Sequence, residues 1–115
     1  LGDLVVREMH LPGHNYTGPF TNYKQRQKRG DKPVNRVDAL SERHDGAYEE
    51  YRRDQSKINH ADFMYVSGAA NIVLDSNASR RERSEAAFVG TVIGIKGIVG
   101  LALLPQLDLY RKLRY

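Results

Sequence analysis

The stretch PVNRVDALSERHDGAYEEY, Pro33 to Tyr51, decides how this chain is read. Val37, Leu40, His44, Ala47, Tyr48 and Tyr51 recur at the period of one helix face, while Glu42, Arg43, Glu49, Glu50, Arg52 and Arg53 fall mostly off it. The spacing predicts a helix over 34–53, with Asn35 as its cap and a proline tolerated at its start. Two features do not serve the helix. Gly46 weakens a helix interior by about 1 kcal/mol relative to alanine. His44 puts an imidazole on the packing face, beside the carboxylate of Asp45.

Downstream, Phe63, Val66, Ala69, Ala70 and Val73 mark a second helix over 59–74. Asn59 is the expected cap, which puts Asp62 in the first turn, where the helix dipole favours a carboxylate. A third helix is expected over 79–104, with Ser79 and Glu82 at capping-box spacing and Pro105 ending it. Its segment AAFVGTVIGIKGIVGLALL, Ala86 to Leu104, approaches the length of a membrane span. Lys96 interrupts it, at a cost of about 3 kcal/mol for insertion. Gly90 and Gly94 are spaced for close helix approach, with Gly97 and Gly100 beyond them. A buried core helix, or one through which copies of the chain pack as an oligomer, is the first reading; membrane insertion or shallow interfacial contact is the second.

Upstream, residues 1–11 read as an arm and 12–33 as a loop punctuated by Gly13, Gly18, Pro19, Gly30 and Pro33. Irregular segments this long in a small domain are usually functional or disordered. Residues 105–115 form a basic tail. There is no internal repeat and no strand pattern beyond a small hairpin at most. The expected fold is mainly α: one domain over 1–115, with three helices and a long N-terminal loop.

The 115 residues include no cysteine, which removes disulfides, thiolate metal sites and thiol nucleophiles. Eighteen Lys and Arg against fourteen Asp and Glu give a net charge of +4, suited to an anionic surface of lipid or nucleic acid. The excess gathers in KQRQKRGDK, Lys24 to Lys32, and in the tail. The N-terminus lacks the apolar core of a signal peptide, and the chain reads as a segment of a longer protein.

Consecutive helix residues point about 100° apart, so His44 and Asp45 cannot grip one atom together but can flank one cavity. An imidazole is the usual general base near neutral pH. A carboxylate is a hard oxygen ligand of the kind calcium takes together with main-chain carbonyls, which HNYTGPF, His14 to Phe20, can supply. Taken alone, the pair fits a half-buried histidine beside an exposed acid more readily.

The order of motifs adds a resemblance. YTGPF followed by PVNRVDALSERHDGAYEEY resembles the phospholipase A2 domain of parvovirus minor capsid proteins, a family whose Tyr-x-Gly-Pro-Gly calcium loop precedes a Pro-Val-Asn…His-Asp-x-Ala-Tyr helix. The match covers about Leu11 to Ala70. It implies a disulfide-free phospholipase A2-like fold and a Ca²⁺-dependent hydrolysis of the sn-2 ester of glycerophospholipids. By the resemblance, His44 is the base, Asp62 orients it and Tyr48 hydrogen-bonds Asp62; Asp45 and the carbonyls of Tyr16, Gly18 and Phe20 hold the ion. Asp38 matches a family aspartate to which a structural role is assigned. The partners implied are a phospholipid membrane and the rest of a viral capsid protein. The setting implied is the interior of a virion, with exposure at the endosomal membrane during infection. One departure stands out: Phe20 occupies the family's second loop glycine, and a positive φ there would strain it.

Three rivals are weighed. A zinc hydrolase would draw on His10, His14 and His60, but Pro12 and Gly13 break the first pair's helical spacing. A nucleic-acid-binding module rests on the basic stretch, which lacks a recognisable fold signature. The same Lys24, Arg26, Lys28 and Arg29 serve equally as lipid headgroup contacts or as a nuclear-import signal. A non-catalytic membrane module would rely on the third helix.

Overall fold

The computed structural model describes residues 8–102, and side chains as far as Lys96. Its elements are α1 (Tyr23–Arg29), α2 (Arg36–Glu50), α3 (Gln55–Leu74) and α4 (Arg80–Ala102), with no strand among the described residues. The fold is mainly helical, as expected, but α1 is an addition inside the segment read as loop. Asn22 starts it by accepting from the Gln25 N–H, a cap too close to Pro19 and Gly18 to stand out in the sequence.

Each longer helix begins on a side-chain cap. Asn35 accepts from the Asp38 N–H at 2.9 Å. Asp54, not Asn59, caps α3 through the Lys57 N–H, so the helix starts at Gln55 and Asp62 lies beyond its first turn. Polar Gln55, Ser56 and Lys57 hid this turn from a reading based on apolar period. Ser79 accepts from the Glu82 N–H at 3.0 Å. Glu82 does not complete a capping box, because its carboxylate goes to the Arg36 N–H and guanidinium instead.

The main core lies between α3 and α4, where Tyr65, Ala69 and Ile72 meet Ala86, Val89 and Ile93, with Val37 of α2 closing it. Burial of each large aliphatic side chain here contributes about 1.5–3 kcal/mol. The small-residue spacing of α4 is used within the chain: Gly90 faces the Ala69 methyl and Gly94 faces Val66. No helix among the described residues is long and apolar enough to cross a membrane. Residues 1–7, the tail 105–115 and the end of the third predicted helix lie outside the described residues, as do the surroundings of Gly97 and Gly100.

The N-terminal loop is tied down at both ends. Leu11 donates to the Thr17 carbonyl at 2.9 Å and Met9 to the Pro19 carbonyl at 3.3 Å. From α4, Arg81 donates to the Pro12 carbonyl, and Glu85 meets the Nε2 of His14 at 3.0 Å.

Candidate active site

Helix α2 buries two stripes rather than one. Val37, His44 and Tyr48 belong to the apolar face that the sequence shows. Asp38, Ser41 and Asp45, at intervals of three and four, form a polar stripe that is completely buried. A buried polar stripe requires partners, and the N-terminal loop supplies them. The Asp38 carboxylate accepts from the main-chain N–H groups of Asn15, Tyr16 and Val34 and lies 3.0 Å from the Thr17 hydroxyl. Thr17 reaches Ser41 at 2.8 Å, and Ser41 reaches the Tyr65 hydroxyl at 2.7 Å. Asp38 therefore shapes the loop.

On the other stripe the structure brings His44, Asp62 and Tyr48 together. Nε2 of His44 and the Tyr48 hydroxyl both lie 2.7 Å from the same oxygen, Oδ1 of Asp62. The imidazole is also held between two rings, with centroids 4.5 Å away for Tyr48 and 5.0 Å for Tyr65. Donation from Nε2–H to a carboxylate selects the tautomer whose lone pair sits on Nδ1, the arrangement of an oriented base. Beside this group opens a cavity of about 600 Å³ between α2 and α3, with His44, Leu40, Ala47 and Tyr51 on one wall and Ala61 and Met64 on the other. Leu40, Ala47 and Tyr51, read as packing residues, line this cavity.

Asp45 is not the exposed acid of the simpler alternative: it is fully buried. It lies close enough to Tyr23 and Tyr65 for its charge to add to the effect of burial, which raises both phenols above their ordinary range. Among the described residues no three His, Cys, Asp or Glu side chains gather as metal ligands. A metal held here would depend on main-chain oxygen. The Thr17 and Pro19 carbonyls accept from Leu11 and Met9, while those of Tyr16 and Gly18 converge, 3.3 and 3.1 Å from the Thr21 hydroxyl. A hydroxyl donates one proton and each carbonyl has two lone pairs, so both keep acceptor capacity for a cation. A carboxylate and main-chain carbonyls are oxygen donors of the kind calcium takes.

Two loop positions show why glycines mark it. A Cβ on Gly18 would stand 1.6 Å from the Met9 carbonyl oxygen, so no other residue fits there. Phe20 has φ 62°, the single positive value among the described non-glycine residues. The conditional strain at this position is real.

Gly46 is explained by α1: a Cβ would lie 2.8 Å from the Tyr23 hydroxyl oxygen. The glycine lets Tyr23 lie across α2, next to Asp45. Arg26 is partly buried, with its guanidinium turned to Glu8, Asp31 and Asn15. Lys24, Lys28 and Arg29 are exposed. Lys96, read only as an interruption in an apolar helix, is buried with Nζ 4.6 Å from the Tyr48 ring centroid. A lone cation amid apolar residues was the available signal.

Fold and site together define a helical domain organised around an oriented, buried imidazole and a carbonyl-rich loop. The chain belongs to the phospholipase A2-like domain family, whose model matches residues 7–87. It is 34% identical over 92 residues to the capsid protein VP1 of Diatraea saccharalis densovirus and 29% identical over 92 residues to that of Galleria mellonella densovirus. Each match covers 80% of this chain and 10% of the relative, so the chain spans about a tenth of the length of the curated relatives it matches. The resemblance to parvovirus capsid domains read from the motifs thus agrees with whole-sequence similarity. No solved structure matches the chain.

Proposed function

We propose that this domain is a calcium-dependent phospholipase A2 that hydrolyses the sn-2 ester of glycerophospholipids. The observation that carries the reading is the convergence of His44 and Tyr48 on one oxygen of Asp62, 2.7 Å from each, beside an apolar cavity. His44 takes the proton of the attacking water at Nδ1. Asp62 holds the ring in that tautomer and balances the imidazolium that forms, and Tyr48 fixes Asp62. Asp45 and the carbonyls of Tyr16, Gly18 and Phe20 would hold the ion. Bound calcium supplies Lewis acidity at the ester carbonyl and offsets the charge of the oxyanion. Leu40, Ala47 and Met64 exclude water from the acyl chain.

By analogy with the capsid proteins it resembles, the domain belongs to a viral capsid protein, is carried in the virion and acts at the endosomal membrane. Lys24, Lys28 and Arg29 are its headgroup-facing cations, and the exposed Phe63 and Met64 extend the apolar rim. The test is fatty-acid release from phosphatidylcholine vesicles with calcium or with chelator. Release should require calcium and vanish in His44→Ala while the helical circular dichroism is kept. Vesicle leakage without fatty-acid release at millimolar calcium would establish the non-catalytic membrane module instead.

A further inference from the structure

Glycerophospholipids share a phosphate and differ in what it carries, and the cavity beside His44 contains the groups that can tell them apart. Arg43, Lys57 and His60 stand on its walls, all exposed, and no carboxylate does. The quaternary ammonium of a choline headgroup is recognised by a carboxylate or by an open aromatic face. The cavity offers neither. Tyr51 is one ring of its lining, and the Lys57 Nζ already lies 4.4 Å from that ring's centroid. Tyr65 is buried, packed edge-on against His44. A choline ammonium would thus meet cations and an occupied ring.

A headgroup of net negative charge meets the opposite situation. Arg43 presents a planar fork suited to phosphate or carboxylate oxygens. Lys57, steadied by the Tyr51 ring, adds a point charge on the facing helix.

We propose that this cavity selects glycerophospholipids with anionic headgroups over zwitterionic ones, with Arg43 and Lys57 as the specificity-determining residues. The proposal rests on the reading of the site as a phospholipase. Lys24, Lys28 and Arg29 would attract the domain to any anionic surface, so the test must remove the surface. Dihexanoylphosphatidylglycerol and dihexanoylphosphatidylcholine, each below its micelle concentration and with calcium present, give kcat/KM for single lipid molecules. The wild type should favour the glycerol lipid by about fivefold to tenfold, the scale of two exposed charge contacts. In Arg43→Gln/Lys57→Gln the ratio should fall towards one. Equal hydrolysis of both lipids by the wild type overturns the proposal while leaving the phospholipase reading intact, and so does a preference that survives the double substitution. Hydrolysis of neither overturns the phospholipase reading, and the proposal with it.

Discussion

At the scale of single residues, the site is ordered by who shares an oxygen with whom. Tyr48 and His44 meet the same Oδ1 of Asp62, so removing either neighbour changes the carboxylate differently. Tyr48→Phe leaves the His44 contact and removes one buried hydrogen bond, a loss of about 1 kcal/mol and hence about fivefold in turnover. Asp62→Asn removes the charge that balances the imidazolium and permits the wrong tautomer, so it should cost far more, on the order of a hundredfold or greater. Steady-state kinetics of the two variants tests this order; a Tyr48→Phe loss as large as that of Asp62→Asn would deny Asp62 the orienting role. Phe20 supports the opposite kind of prediction, a gain. A non-glycine residue in the left-handed region costs about 1–3 kcal/mol, and Phe20 sits there in the loop that would hold calcium. Phe20→Gly should raise thermal stability and tighten calcium binding by about fivefold, read by melting and by calcium titration of fatty-acid release. Unchanged or weaker calcium dependence would show that the phenyl group, not the backbone, matters at this position.

At the scale of elements, helices α2 and α4 were legible because apolar period and caps agree, with Asn35 for the one and Ser79 for the other. What stayed hidden was polar. Helix α1 buries no residue and has no apolar stripe to announce it. The first turn of α3 is polar throughout, and the buried stripe Asp38–Ser41–Asp45 looks like a solvent face until the loop is folded onto it. The triad of His44, Tyr48 and Asp62 was reachable from motif resemblance, whereas the cationic walls at Arg43 and Lys57 needed the α2–α3 packing. The contact of α1 with α2 has its own test. Alanine in place of Gly46 gains about 1 kcal/mol of helix propensity, but its methyl must displace Tyr23 from 2.8 Å. Gly46→Ala should therefore be near neutral or destabilising in the native chain and stabilising by about 1 kcal/mol in a Tyr23→Ala background. Chemical denaturation of the four proteins gives the coupling, and equal effects in both backgrounds would mean that Tyr23 does not press on α2.

At the scale of the whole molecule, the start of α2 and the start of α4 are joined by charges that depend on acid carboxylates. Arg36 binds Glu82 at 2.8 Å and Asp75 at 2.9 Å. The hydrogen bond from Arg36 holds Glu82 below its ordinary 4.5, and the Asn77 N–H with Arg36 holds Asp75 below 3.8. For Glu85, burial pushes the carboxyl up, but hydrogen bonds from Asn35 and His14 outweigh it and leave it lowered. A carboxylate whose folded pKa is depressed stabilises the fold above its unfolded pKa, and that contribution disappears as pH falls through the folded pKa. The share owed to Arg36 should thus be constant from neutrality to about pH 5.5, shrink below about pH 4.5 and vanish once both partners are protonated. Denaturant melts of the native chain and Arg36→Gln across this range provide the check: their stability gap should close on acidification. A gap that stays open at the lowest pH would place the value of Arg36 in packing of its stem rather than in charge. On that outcome, the acid sensitivity of the docking of α4 against the start of α2 would rest on Glu85 and its bonds to Asn35 and His14.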